Sequence, residues 1–283
     1  LNYDHSYILG FEVNESNVHG VVCDLKGEVK MTVSDEVKSK RPEDIASSIE
    51  GVIKYIRSEK AQFQNIIGIG LSISGIVSPT DQEVVYSNTM GWKDIHVLDL
   101  FPPLGDDLMI VVENDANAAL LGELWLGNVP EDQNVVYIVI GAGVIGASLL
   151  VDGQLARGSS LMAGEISHFP VETNGKKCNC GNFGCFETYV SLERLQQDYK
   201  ELSGKSIKII ESYKSGDHIA IELVVEAAHK IATVILAITY LVNPEKVILG
   251  GLWLEAGDEF LNLIRAKVKQ DFALDEKHIP QIV

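Results

Sequence analysis

One layout is written twice along this chain. Tyr7–Val13, Val18–Asp24 and Glu28–Val33 alternate as three strands, with Lys26-Gly27 supplying the turn between the last two. Asn134–Ile140 and Val144–Val151 repeat that hairpin around a glycine turn, and Asp152-Gly153 turns into a third strand. Helices and apolar runs follow each block. Pro42–Lys60 has a helical period, with Ile45, Ile49, Ile53 and Ile56 on one face and Pro42 near its start. Ile66–Ile73 and Leu108–Val112 have the length of buried strands, and Asp115–Leu126 is an Ala- and Leu-rich helix. After the second block come a long helix over Asp217–Leu241, a short strand over Lys246–Leu249, and Gly250-Gly251 as a loop before another helix. The closing HIPQIV begins one more strand. Such strand–helix alternation is α/β, and its repetition implies two lobes with a cleft between them. The boundary falls near Gly127–Gln133, giving lobes of residues 1–127 and 128–283.

Composition removes several function classes. The 283 residues are 46% hydrophobic, enough for two cores. Forty acids against 23 bases give a net charge of −17, a surface that repels phosphate backbones, so these residues alone should not grip nucleic acid. No Lys/Arg-rich run occurs, and no uncharged apolar stretch reaches membrane-spanning length, so no membrane partner is expected. The first residue is Leu, which places the expected start of the protein upstream. A closing strand and helix are expected beyond Val283. Few cysteines, clustered together, fit a reducing cytoplasm.

That cluster is GEISHFPVETNGKKCNCGNFGCFE, Gly164–Glu187. His168, Cys178, Cys180 and Cys185 are an imidazole and three thiols, the donor set of a closed structural zinc site, and such a site orders a loop that has no core of its own. Scattered small buried residues are a poorer explanation, because three of the chain's four cysteines fall here. Cys178 and Cys180 are too close in sequence to pair easily as a disulfide. Glu165 and His168, three apart, would share a face on a helical turn. If His168 gives one ring nitrogen to the metal, the other carries a proton and can only donate. Glu113-Asn114-Asp115 sits where a strand gives way to a helix. Asn114 and Asp115 there are either helix caps, ligand contacts beyond a strand's carboxyl end, or one of each. Asn114, Asp115, Glu165, His168 and Glu187 together supply the acceptors and donors a neutral polyol needs. Taken singly, Glu165 and Glu187 read equally as solvated acids of an acidic protein.

These residues bring a family into view. The chain resembles the ROK family of repressors, open reading frames and sugar kinases. The matching pieces are GLSISG (Gly70–Gly75), SNTMGW (Ser87–Trp92), VENDANAALLGE (Val112–Glu123), GAGVIGA (Gly141–Ala147), GEISH (Gly164–His168), CNCGNFGCFE (Cys178–Glu187) and NPEKVILGG (Asn243–Gly251). Ser167 stands where the family commonly has Gly. The resemblance implies a duplicated actin-like, hexokinase-like (ribonuclease H-like) fold with a zinc-binding insertion. It implies zinc at His168, Cys178, Cys180 and Cys185, and sugar contacts from Asn114, Asp115, Glu165, His168 and Glu187, with Gly75 and Asn88 as further lining. In kinase members the counterpart of Asp115 is the general base.

Two departures bear on catalysis. Kinase members carry Asp-x-Gly-Gly-Thr on the first hairpin, where this chain has Glu12-Val13-Asn14-Glu15-Ser16-Asn17. That exchange removes the glycines that let backbone approach phosphate and adds a carboxylate. Gly141-Ala142-Gly143 also lacks the hydroxyl of the usual Gly-Thr-Gly. The expectation is a sugar-binding effector domain with no catalytic residue, closest to xylose-repressor-type members and responsive to glucose or xylose. Its operator DNA would be gripped by a winged helix-turn-helix upstream of Leu1, and the protein would be a homodimer or higher homo-oligomer. The alternative is a glucokinase-type enzyme with Asp115 as base.

Overall fold

The structure is a computed structural model that describes residues 6–59, 63, 65–101, 108–126, 133–141 and 145–283. The chain divides into two compact units, residues 1–128 and 129–283. In the first, β1 (Tyr7–Val13), β2 (Asn17–Asp24) and β3 (Val29–Glu36) precede α1 (Pro42–Glu59) and β4 (Ile66–Ile73). Then come β5 (Ile76–Ser78), β6 (Glu83–Ser87), β7 (Trp92–His96), β8 (Met109–Asn114) and α2 (Asp115–Trp125). The second unit holds β9 (Val135–Ile140), β10 (Ile145–Val151), β11 (Gln154–Leu155), α3 (Glu187–Val190), α4 (Leu192–Ser203) and α5 (Ile209–Lys214). It ends with α6 (His218–Val242), β12 (Lys246–Gly251), α7 (Asp258–Asp271) and β13 (Gln281–Ile282).

The duplication is visible in strand order. The first unit's main sheet runs β3-β2-β1-β4-β8 and the second's β11-β10-β9-β12-β13. In each, the opening hairpins are antiparallel and the remaining two strands join in parallel. Alternation makes β1 bury Tyr7, Leu9, Phe11 and Val13 on one face. The Ile face of α1 covers that core with Ile45, Ile49, Ile53 and Ile56. In the second unit α6 is apolar over most of its surface because it is packed among other elements. Its first turn is capped by Asp217, whose Oδ1 accepts from the amides of Ile219 and Ala220, so Asp217 precedes the helix instead of opening it.

Local turn chemistry explains the hairpins. Asp24 is buried and its Oδ1 accepts from the amides of Lys26 and Glu28, closing the β2–β3 turn, while its other oxygen pairs with Lys30 at 2.9 Å. Asp152 and Gly153 both have positive φ, 51° and 72°, the requirement of a type I′ hairpin turn.

Several expectations need correction. Gly250-Gly251 is strand, not loop: the pairs Gly250↔Val139 and Gly251↔Ile140 carry β12 two residues further. Glycine is needed there by packing, since a Cβ at Gly250 would lie 2.0 Å from the Tyr137 hydroxyl. The antiparallel sheet β5-β6-β7 and the helices α3, α4 and α5 had no reading in the sequence; the strands, α3 and α5 are short, whereas α4 carries a helical period in Leu192, Leu195 and Tyr199 that was there to be read. Trp92 is buried, Trp125 is 53% exposed at the end of α2, and Cys23 is half-buried. Lys60, the linker residues 127–132, and Ala142, Gly143 and Val144 of the second glycine loop lie outside the described residues.

Candidate functional site

Three chain segments meet at one end of the first unit's main sheet. Val13 pairs with Ile73, and Ile73 with Asn114, so the β1–β2 turn, Ser74-Gly75 and Asn114-Asp115 leave the sheet side by side. This is the carboxyl end of the parallel strands, where ligands of open α/β sheets bind. Asn114 caps α2: its Oδ1 accepts from the amide of Asn117 at 3.1 Å, and its Nδ2 donates to the Gly75 carbonyl at 2.9 Å. Capping and a position at the strand end therefore hold together. Gly75 has φ +130°, and a Cβ there would sit 2.4 Å from the Tyr86 carbonyl oxygen, so only glycine fits.

Asp115 follows as the first helical residue. Its Oδ1 accepts from the amide of Ala116 at 2.8 Å, while Oδ2 is shielded from solvent with no hydrogen-bond partner among the described residues. Burial pushes its carboxyl above the usual aspartate range, and the charge of Glu12 adds to that; the Ala116 amide and the Ser74 hydroxyl pull the other way. A half-satisfied buried carboxylate is costly for the fold alone and suited to a ligand hydroxyl. Asn88 is exposed in the β6–β7 connection, its Oδ1 accepting from the Tyr86 hydroxyl at 3.4 Å.

The neighbouring β1–β2 turn is chemically closed. Asn14 Oδ1 accepts from the amides of Ser16 and Asn17 at 3.1 and 2.8 Å, and the Asn14 amide donates to the Asn17 carbonyl. A phosphate would need those amides; a side-chain carbonyl of this chain already holds them. Glu15 at the tip pairs with Lys40 at 2.7 Å, and Lys40 also donates to the Thr89 carbonyl.

In the second unit the predicted ligands gather. One donor atom each from His168, Cys178, Cys180 and Cys185 lies within 4.8 Å of the others. The Cys180–Cys185 sulfurs are 3.7 Å apart, as are Cys178 Sγ and His168 Nδ1. Tetrahedral bonds of about 2.3 Å around one ion give ligand–ligand edges of about 3.8 Å, so the spacing fits a metal. Burial pushes the Cys178 thiol up, and Glu187 Oε1, 2.9 Å away, pushes it further; a cation among the sulfurs would reverse that. His168 Nδ1 is the ring nitrogen facing the cluster and stands 3.8 Å from Glu187 Oε1.

The surrounding backbone fixes these positions. The Glu187 amide donates to the Ser167 carbonyl and the Phe186 amide to the Phe169 carbonyl, laying the His168 segment along the start of α3. Glu165 and His168 do not share a helical turn as expected. Residues 164–169 form irregular turns, because Gly164 is drawn against β10 with φ +93° and its carbonyl accepts from the Ala147 amide. Tyr189 fastens the far side of the loop, its hydroxyl accepting from the Lys176 amide and its ring meeting the ammonium groups of Lys176 and Lys230 at 4.9 and 4.8 Å from its centroid.

A family model described as ROK family matches residues 9–283. The chain belongs to the ROK family. Among its relatives is a xylose repressor of Bacillus subtilis (strain 168), 29% identical over 275 residues, which is 95% of this chain and 70% of the relative. A glucokinase of Halalkalibacterium halodurans is 31% identical over 219 residues, 71% of this chain and 66% of its own. Among solved structures, a ROK family transcriptional regulator, a homolog of the E. coli MLC protein, has a TM-score of 0.87 at 21% identity, covering 99% of this chain and 74% of its own. A ROK glucokinase from Streptomyces griseus in complex with glucose and AMPPNP has a TM-score of 0.82 at 22% identity, covering 98% and 93%. At such identities the likeness establishes the two-lobe ROK fold, which repressors and kinases share. No helix among the described residues is long and apolar enough to cross a membrane.

Within this ROK chain the sequence had not pointed to Ser74, to Glu12 as the charge acting on Asp115, or to Asn14 as the plug of its own turn. Asn14 followed by an acid and a serine is an Asx-turn signature, and that signal was present in the sequence.

Proposed function

We propose that this chain is the monosaccharide-sensing effector part of a ROK transcriptional repressor and does not phosphorylate its sugar. The observation that carries the reading is the closed β1–β2 turn, whose amides bind Asn14 and whose tip bears Glu15, beside an Asp115 with a buried, unpartnered oxygen. Phosphoryl transfer depends on cradled phosphates and neutralised charge, and this turn offers neither. The reading assigns hydroxyl contacts to Asn114, Asp115, Gly75 and Asn88 in the first unit and to Glu165, His168 and Glu187 in the second. The two units serve as the family's two lobes. His168, Cys178, Cys180 and Cys185 hold a structural Zn²⁺, which fixes the loop and leaves the second imidazole nitrogen as a donor. Operator DNA binds through a basic head outside these residues, in a cytoplasmic homo-oligomer. Sugar acts by favouring one conformation over another, to the extent that its affinities for the two differ.

Calorimetric titration with glucose and with xylose tests this. Heat with a dissociation constant in the micromolar to low-millimolar range is expected for one of them, and no heat with any aldose at millimolar levels would remove the sensor reading. The glucokinase-type reading keeps one observation in its favour: a buried carboxyl raised toward neutrality is how a general base is tuned. It requires nucleotide turnover, which the sensor reading forbids.

A further inference from the structure

The metal cluster carries a single solvent-facing thiol. Cys180 is exposed, whereas Cys178 and Cys185 are buried. Cys180 Sγ lies 3.7 Å from Cys185 Sγ. Cys178 Sγ lies in the same cluster but donates to Glu187 Oε1 at 2.9 Å, and its place two residues from Cys180 disfavours a bridge between those two. The backbone also favours one pairing. Gly181 has φ +95°, and a Cβ there would meet nothing within 4 Å, so the loop beside Cys180 has room on that side. Cys185 is anchored by its bridge to Pro170 and by the Thr188 amide and hydroxyl on its carbonyl.

We propose that Cys180 and Cys185 form a peroxide-sensitive dithiol inside the metal cluster, whose oxidation to a disulfide ejects the metal and overrides the sugar response. The Cys180 sulfur attacks the O–O bond of hydrogen peroxide; an S–O bond forms, the O–O bond breaks and one water leaves, giving a sulfenic acid. The Cys185 sulfur then attacks the Cys180 sulfur; the S–S bond forms, the S–O bond breaks and a second water leaves. With a metal bound the two sulfurs would be thiolates, so two thiolates, one peroxide and two protons from water become one disulfide and two waters as the cation is released, the sulfurs losing the two electrons that the peroxide gains. His168 and Cys178 alone cannot close a tetrahedral site. The crosslink stands independently of the sensor reading; its effect on sugar rests on that reading.

The test uses the full chain loaded with zinc, treated with hydrogen peroxide, alkylated and mapped by peptide mass spectrometry. A Cys180–Cys185 crosslink is expected, with Cys23 and Cys178 alkylated and the titratable thiols falling from four to two. A metallochromic chelator should register one zinc per crosslink, and dithiothreitol should reverse both. Cys23→Ser should behave identically. Persistence of all four thiols, a bridge through Cys178, or sulfinic acid without a bridge would overturn the proposal. Calorimetry before and after oxidation separates the two readings. Sugar heat that survives oxidation removes the override, whereas its absence from the untreated protein removes the sensor reading and leaves the crosslink map to decide the dithiol.

Discussion

Replacing Cys185 with serine is expected to abolish metal retention and to lower the melting temperature of the protein by roughly 10 °C. Cys185 is 1% exposed and pairs with Pro170 in an isolated β-bridge; among the described residues of the loop, Lys177 and Phe183 form another. Between Gly164 and Phe186 the described chain forms no helix or extended ladder, so a metal on these four donors would add to scattered backbone hydrogen bonds and the Tyr189 contact in opposing its backbone entropy. Serine's hydroxyl does not ionise to serve as a zinc ligand, and three remaining donors hold the ion far more weakly. A loss of about 3–5 kcal/mol, a fraction of what zinc supplies to wholly metal-dependent domains, corresponds to about 2–4 °C for each kcal/mol in units of this size. Scanning calorimetry of wild type, variant and chelator-treated wild type checks this. Variant and chelated wild type should melt together. A variant that keeps stoichiometric metal and the wild-type melting temperature would show that the cluster does not hold this loop.

Replacing Asp115 with asparagine should separate stability from ligand binding. The upward shift of its carboxyl means that burial outweighs the benefit of an acid in the first turn of α2, which is worth only about 0.3–1 kcal/mol. The native state therefore keeps a proton that the unfolded chain has already lost. Stability falls as pH rises from the ordinary aspartate range to the raised native value, and above it the ionised group is a standing cost. Asparagine cannot ionise, so this part of the pH dependence should vanish and the melting temperature at pH 7 should rise. Sugar affinity should drop by about 10- to 100-fold, the loss of a hydrogen bond to a charged group. Melting curves from pH 4 to 8 and calorimetric titration read the two effects. Unchanged sugar affinity would remove Asp115 from the binding residues.

The strands and long helices were legible because their periods are long and clean. β1 and β4 begin and end where the alternation in Tyr7–Val13 and the apolar run Ile66–Ile73 say they do. The Asp-Gly turn at 152–153 was equally plain, since its two positive φ values suit those residues. The gathering of His168, Cys178, Cys180 and Cys185 was readable because thiols and imidazole at such spacing have few uses other than holding a metal. Apart from α4, whose period in Leu192, Leu195 and Tyr199 is local, what escaped depends on tertiary contact. No local pattern says that Tyr137 must sit beside Gly250 and extend β12, or that a Cβ at Gly164 would strike the Ala147 carbonyl oxygen and so keep Glu165 and His168 off a helix. The β1–β2 turn lies between these cases. Its lost glycines were visible, but that Asn14 fills the vacated amides required the geometry.

That filled turn beside the Asp115 carboxyl is the centre of the account, and nucleotide turnover tests it most directly. Protein saturated with the sugar that gives calorimetric heat is mixed with Mg-ATP, and release of ADP is followed by a coupled assay against a no-protein blank. ADP release indistinguishable from the blank is the predicted result. Sugar-dependent ADP formation at a rate typical of kinases, about 1–100 per second, would contradict it.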